Sequence, residues 1–70
     1  MSDGIRVGQR VRAVGHLWWG TVVRAWADGG ERLLNALSYE PPEMVDVLWD
    51  GAPRIVVEDV KDLVLEEKHV

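Results

Sequence analysis

Aromatic side chains are the residues of this chain with the clearest binding chemistry. The sequence contains four tryptophans, one tyrosine and no phenylalanine. An aromatic ring offers a large apolar surface for a protein contact, a face that attracts cations, and a platform on which a nucleic-acid base stacks. Trp18 and Trp19 are adjacent, so in an extended segment they point to opposite sides and at most one of them is buried. The aromatic positions are Trp18, Trp19, Trp26, Tyr39 and Trp49.

Arginines form a second group with binding chemistry. Residues 1–26 contain four arginines against one acid, whereas residues 40–67 are mainly acidic. Three of the arginines share one face of an alternating segment and could contact the phosphates of single-stranded nucleic acid, with Trp18 or Trp26 stacking on bases. The net charge of −4 argues against a dedicated duplex-DNA binder, and cross-strand pairing with acids is the favoured interpretation. The four arginines are Arg6, Arg10, Arg12 and Arg24.

Catalytic and metal-binding patterns do not stand out in the sequence. It has no cysteine and only two histidines, His16 and His69, too few ligands for a zinc site within one chain. No Ser-His-Asp order and no phosphate-cradling glycine loop is found. Glu40 and Glu43 flank two prolines and are expected to solvate a loop, and His16 is expected to be an ordinary loop histidine. We therefore expect a protein that is not an enzyme and takes no metal or cofactor.

Length and composition predict one small domain spanning residues 1–70. No apolar run approaches the roughly 20 residues of a membrane span, and the first residues lack the features of a signal peptide. A soluble, cytoplasmic protein without membrane association is expected. Small acidic modules of this kind also occur among phage and mobile-element products, and such an origin is a further hypothesis.

Short alternating segments predict an all-β fold. Residues 5–14 place Ile5, Val7, Val11 and Ala13 on one side as strand one, with Gly8 as a bend or bulge. Residues 15–20 form a loop, and residues 21–27 form strand two. If Arg24 faces water, then Thr21, Val23 and Ala25 point inward and Trp26 outward, unless a bulge reverses part of this phase.

Residues 28–43 form a long insertion that begins with a turn at Asp28-Gly-Gly-Glu31. Its leucines fit either a short helix or an extra strand, and Glu40-Pro-Pro-Glu43 ends either one. Because the insertion is too apolar to lie freely in water, we expect it to pack across an opening of the fold or to form a contact between copies of the chain. Its candidate contact residues are Leu33, Leu34, Leu37 and Tyr39.

Residues 44–49 predict strand three, with Val45, Val47 and Trp49 facing the core. The Asp50-Gly51 pair can supply the positive φ angles of a tight hairpin turn. Strand four follows at 54–58, then a 3₁₀ turn within 58–62 and strand five at 63–65. Residues 1–4 and 66–70 are expected to fray.

These elements resemble the SH3-like barrel, and within it the Tudor, KOW and MIB/HERC2-type versions. The resemblance is carried by Gly8-Gln-Arg-Val-Arg12, Gly20-Thr-Val22, Val45-Asp-Val-Leu-Trp-Asp-Gly51 and Asp62-Leu63. It implies a five-stranded barrel with the insertion between strands two and three. For the Tudor version it also implies a candidate cage for methylated lysine or arginine, with walls from Trp18 or Trp19, Trp26 and Tyr39 and an anion from Asp50 or Glu40.

A second resemblance is to the plasmid-borne type II dihydrofolate reductases, carried by Gly8-Gln-Arg-Val-Arg12 and Trp19-Gly20-Thr-Val-Val23. That family carries a Val-Gln-Ile-Tyr run where this chain has Arg54-Ile-Val-Val57. The glutamine and tyrosine that position folate and nicotinamide are missing, so reductase activity is a remote alternative.

The sequence therefore predicts a small interaction module that binds a protein or peptide and can associate with itself. The predicted contact residues are Trp18, Trp19, Trp26, Leu33, Leu34, Leu37 and Tyr39. Association with single-stranded nucleic acid through Arg6, Arg10, Arg12 and Arg24 is the alternative.

Overall fold

A single antiparallel sheet of six strands forms the protein, in a computed structural model that describes residues 5–35 and 40–65. No α-helix occurs within these two ranges, so the predicted all-β class is confirmed. The strands are β1 (Arg10–Ala13), β2 (Trp19–Ala27), β3 (Arg32–Leu33), β4 (Met44–Trp49), β5 (Ile55–Asp59) and β6 (Leu63–Leu65).

The strands lie in the order β5-β4-β2-β1-β6, and β3 pairs with the far end of β2. Because no pairing joins β5 to β6 within the described ranges, the sheet is open there and not a closed barrel. Six strands replace the predicted five because the insertion contributes β3. Of the two alternatives for this segment, the extra strand is the one observed.

The fully buried core consists of valines from three central strands. Val11, Val22, Val45 and Val47 are almost completely shielded from water, and each contributes on the order of 1.5–3 kcal/mol through burial. The predicted inward phase of β4 is confirmed, because Val45 and Val47 are buried and Trp49 closes one end of the core with 8% exposure. The other buried apolar residues in the described ranges are Ile5, Ala25, Ala27 and Leu34.

A β-bulge at Val23 sets the phase of β2. Val22 pairs with Val47 and Arg24 with Asp46, so β2 has one extra residue between these two positions. Val22 and Ala25 therefore both point inward. The expected inward orientation of Thr21 and Val23 is wrong, since the bulge reverses the alternation at this point.

The connection between β4 and β5 uses only one of the two positive φ angles that the Asp50-Gly51 pair was predicted to supply. Asp50 extends the ladder by donating its backbone N–H to the Trp19 carbonyl at 2.9 Å. Gly51 takes a positive φ of 81°, whereas Asp50 does not, and residues 50–54 together connect the two strands. Because Asp50 remains bound to β2, the chain turns only after it.

The observed bounds of β1 and of the last elements are close to the predicted bounds but not identical to them. β1 begins at Arg10, later than predicted, because Gly8 turns the chain with φ 94°. β5 is shifted by one residue from the predicted range, while a 3₁₀ turn at Val60–Asp62 and a last strand at Leu63–Leu65 agree with the prediction. The predicted frayed ends, 1–4 and 66–70, lie outside the described residues.

The insertion begins with a turn at Asp28–Gly30, as predicted. Asp28 adopts φ 56°, a left-handed conformation that aspartate tolerates. Leu34 follows β3, donates its N–H to the Ala25 carbonyl at 2.8 Å, and is 8% exposed. Leu34 was expected on a contact surface, and that placement is wrong because the β3 pairing turns its side chain into the core.

A candidate binding groove at one end of the sheet

The candidate site is a groove of about 370 Å³ where the inner face of the sheet opens at one end. Paired residues of neighbouring strands place their side chains on the same face of the sheet, and successive residues alternate between the faces. Val56 pairs with Val47 and Glu58 pairs with Val45. Val56 and Glu58 therefore lie on the inner face, together with Trp49. The loop between β1 and β2 covers the opposite side. The groove is lined by Ala13, His16, Trp18, Trp49, Val56 and Glu58.

Trp49 and Glu58 form the floor of the groove and are joined by a hydrogen bond. The indole Nε1 of Trp49 donates to Oε2 of Glu58 at 3.2 Å. This bond satisfies the only polar atom of a largely buried ring and holds the carboxylate at the groove. A carboxylate can accept several hydrogen bonds, so Glu58 retains capacity for a ligand donor.

The loop over the groove is shaped by two contacts of the main chain. Gly15 has φ 82°, and the N–H of His16 donates to the Ala13 carbonyl at 3.0 Å. Arg12 then donates from Nη1 to the His16 carbonyl at 3.0 Å. The loop is therefore tied back to β1, although the side chains at its tip face water.

Trp18 and Trp19 lie in different surroundings, as expected for adjacent residues of an extended segment. Trp18 lines the groove and is 73% exposed. Trp19 begins β2 on the outer face, where it is half-buried and the Arg12 guanidinium lies 5.8 Å from the centre of its ring. This cation–π contact occupies one face of the Trp19 ring, so Trp18 is the more available of the two tryptophans for binding a partner.

Trp26 belongs to a different surface from Trp18. Its Nε1 donates to Oδ1 of Asp46 at 3.2 Å on the outer face, near the end of β2 that pairs with β3. Trp19 and Trp26 are seven residue steps apart, which corresponds to roughly 23 Å of extended strand. The structure therefore does not bring Trp18 and Trp26 together as two walls of one cage.

The other predicted contact residues have separate locations. Leu33 is exposed in β3, beside Trp26 in the pairing of β2 with β3. Leu34 is in the core, and Leu37 and Tyr39 lie outside the described residues. The two candidate anions of the cage, Asp50 and Glu40, are bound to Arg10 and Arg32.

Arg10 and Arg24 are paired with acids, and Arg12 is bound by its own loop. Arg10 makes a two-pronged ion pair with Asp50, with Nη1 2.9 Å from Oδ1, and this hydrogen bonding lowers the pKa of the Asp50 carboxyl. Arg24 lies 3.0 Å from the mostly buried carboxylate of Asp46. Arg12 contacts the His16 carbonyl and the ring of Trp19.

Arg6 lies before β1, where its backbone N–H donates to the Gln9 side chain at 3.1 Å. It is outside the strand that carries Arg10 and Arg12. Contrary to the prediction from the alternation, Arg6 therefore does not share a strand with Arg10 and Arg12.

Glu58, Val56 and Ala13 line the groove but were not among the predicted site residues, and His16 was expected to be an ordinary loop residue. A signal for two of them was present in the sequence. If β5 pairs with β4, alternate residues of β5 share the face of Trp49. The register that selects Val56 and Glu58 depends on the length of the connecting loop, which the sequence did not specify.

A second hollow, of about 440 Å³, lies at the opposite end of the sheet and is lined by both polar and apolar side chains. There Glu43 already accepts a hydrogen bond from the Gly29 N–H at 2.7 Å. In the described part of the chain, no group of three or more histidine, cysteine, aspartate or glutamate residues could hold a metal ion. None of its helical turns is long and apolar enough to cross a membrane.

Comparison with known proteins gave no relative on which to base an assignment. A scan against protein-family models, a search of the curated proteins and a search of the solved structures each found no match to this chain.

Proposed function

We propose that the protein is an SH3-like interaction module that binds an extended peptide in the groove between the β1–β2 loop and β5. The strand order supports the fold part of this proposal. If the short β3 is set aside and the other five strands are numbered along the chain, their order across the sheet is fifth, first, second, third and fourth. The 3₁₀ turn before the last strand is a further feature of the SH3-like resemblance.

One observation carries the functional part: Trp18 is a large apolar side chain that is 73% exposed at the mouth of a concave site. Exposed tryptophans at concave sites are typical of binding hot spots, because burying the ring on a partner removes a large apolar area from water. Val56 and the ring of Trp49 continue the apolar surface into the groove.

Glu58 indicates the chemistry of the partner. Its carboxylate lies among apolar walls and is the only acidic group among the described residues that line this groove. We therefore expect the peptide to present an apolar side chain to the tryptophans next to an arginine or lysine that reaches Glu58. Binding alone is proposed for this site, with no chemical step.

Protein binding is preferred to nucleic-acid binding because the arginines are interleaved with acids. Arg10 and Arg24 are each bound to a carboxylate on the outer face. A phosphate backbone would have to displace these acids, and the net charge of −4 opposes its approach.

Selection from a displayed random peptide library tests the proposal. We expect enrichment of peptides that combine an apolar residue with an arginine or lysine. For a selected peptide, Trp18→Ala should weaken binding by about tenfold or more, and Glu58→Gln should reduce the preference for the basic residue. Leu33→Ala, an exposed apolar change at the other end of β2, is the matched control and should leave binding unchanged.

Two results would contradict the proposed peptide site. Loss of binding in Leu33→Ala with retention in Trp18→Ala would move the site to the insertion. Binding of a single-stranded oligonucleotide that weakens steeply with salt, without any selected peptide, would replace the proposal with the nucleic-acid alternative.

A further inference from the structure

The free edge of β5 is the most exposed apolar segment of the described sheet. β5 is the last strand on its side of the sheet, and no described strand pairs with its outer edge. Ile55, Val56 and Val57 are all exposed, Val57 by 59%. Edge strands are commonly protected by charges, prolines or bulges, and these three consecutive positions carry none of them.

The main chain of this edge presents hydrogen-bonding groups in a defined pattern. The N–H of Val60 donates to the Glu43 carbonyl at 3.1 Å, in the same register as the pairs Val45–Glu58 and Val47–Val56. Even-numbered residues of this segment therefore direct their N–H and C=O groups toward β4. In an antiparallel ladder these directions alternate, so Ile55 and Val57 direct theirs away from the sheet.

We infer that the β5 edge binds β5 of a second copy of the chain in antiparallel orientation, with Val56 facing Val56 on the two-fold axis. In this register Ile55 of each copy lies opposite Val57 of the other. These are the two residues with outward-directed main-chain groups, so both pairs form hydrogen bonds. Residues 55–57 of one copy then cover residues 55–57 of the other.

Charge complementarity selects this register over its neighbours. With Val56 on the axis, Arg54 of each copy lies opposite Glu58 of the other, because each is two residues from the centre. Opposite charges that face each other across strands are favourable. A shift that places Ile55 or Val57 on the axis instead sets Arg54 or Glu58 opposite a valine.

A second copy is also the occupant that symmetry favours. Pairing β5 with β5 is isologous and closes after two subunits, whereas pairing β5 with β6 would leave a free edge and continue into a filament. The inferred dimer joins the two sheets into one continuous antiparallel sheet. Because Arg54 of the second copy lies beside Glu58, the dimer would also add a residue to the edge of the groove.

Light scattering coupled to gel filtration, from micromolar to millimolar protein, tests this inference. We expect a concentration-dependent mass of twice the 7.9 kDa chain. Val57→Lys places a charge in the apolar segment and should shift the equilibrium to monomer by about tenfold or more. Val64→Lys is the matched control on the opposite edge strand and should leave the dimer intact, with circular dichroism confirming that both variants fold.

Charge exchange tests the register itself. Arg54→Glu alone places two acids opposite each other, and Glu58→Arg alone places two arginines opposite each other, so each variant should dimerise less than the wild-type protein. Mixed together, they restore both pairs, and a heterodimer should form preferentially. A chain that remains monomeric at all concentrations, or a dimer that is dissociated by Val64→Lys but not by Val57→Lys, would overturn the inference.

The inferred dimer and the proposed peptide site share Glu58, but they are tested at different residues. Trp18→Ala should weaken peptide binding by about tenfold or more and leave the dimer unchanged, whereas Val57→Lys should dissociate the dimer. If one of the two proposals fails its test, the other can still be judged from its own variant.

Discussion

The ring of Trp49 lies so close to Gly20 that no side chain fits between them. A Cβ added at Gly20 would lie 2.8 Å from Cε3 of Trp49 and 2.6 Å from Cγ1 of Val47. Gly20 and Trp49 are paired residues of β2 and β4 on the inner face. The absence of a side chain at position 20 is therefore what allows the tryptophan to lie against the sheet and form the floor of the groove.

Gly20→Ala is expected to destabilise the fold by about 1–3 kcal/mol, because the added methyl group overpacks a rigid site. In a Val47→Ala background one of the clashing atoms is gone, so the same change should cost less. Urea unfolding of the two single variants and the double variant measures this coupling. Equal costs in both backgrounds would show that Val47 does not limit the space at Gly20.

Trp26→Phe should lower stability by about 1 kcal/mol, because it removes the indole donor that serves the mostly buried Asp46 carboxylate. Trp18→Phe is the matched control, since Trp18 is exposed and the same atoms are removed there. We expect the control to change stability by less than about 0.5 kcal/mol. Thermal unfolding of both variants makes the comparison, and a larger loss in Trp18→Phe would contradict it.

Leu34→Ala should destabilise the protein by about 2–3 kcal/mol, because Leu34 packs in the core. The neighbouring Leu33→Ala removes an identical side chain from an exposed position and should cost less than about 0.5 kcal/mol. Chemical denaturation of the two variants gives both values. Similar losses at the two positions would mean that β3 does not turn Leu34 inward as described.

The Arg10–Asp50 pair should make the protein more sensitive to acid. Hydrogen bonding from Arg10 lowers the pKa of Asp50 below its ordinary value of 3.8. A carboxyl whose pKa is lower in the folded state contributes stability above that ordinary value and loses it as the pH falls through the folded-state value. The contribution of this exposed pair should therefore be constant near neutral pH and decline only below about pH 4.

Carboxyl NMR titration checks this expectation. In Arg10→Gln the pKa of Asp50 should return toward its ordinary value, while the pKa of Glu40, lowered by Arg32, should remain low. An Asp50 titration that is identical in the two proteins would show that the ion pair does not form in solution.

The sequence was sufficient for most of the strands but not for the site. Alternation of large apolar residues in 44–49 predicted β4 and the inward side of Val45, Val47 and Trp49, because a buried face requires that period. The same rule failed in β2, where two consecutive valines allow either phase and the bulge at Val23 decides between them.

The candidate groove could be predicted only in part. The sequence indicated that at least one of Trp18 and Trp19 is exposed, because adjacent side chains of an extended segment point to opposite sides, but it did not indicate which one. Its partners Val56 and Glu58 come from β5, and their position depends on the pairing register with β4. That register is set by how Asp50 and Gly51 turn the chain, a property of tertiary contacts rather than of local sequence.

The pairing of β1 with β6 brings together residues from near the two ends of the described chain, Val11 beside Leu65. Among the pairings of the described strands this one closes the longest loop, whereas β2 and β4 pair over a shorter stretch. We therefore expect β6 to dock late in folding and to detach early in unfolding. Backbone amides of β6 should exchange with solvent hydrogen ahead of those in β2 and β4.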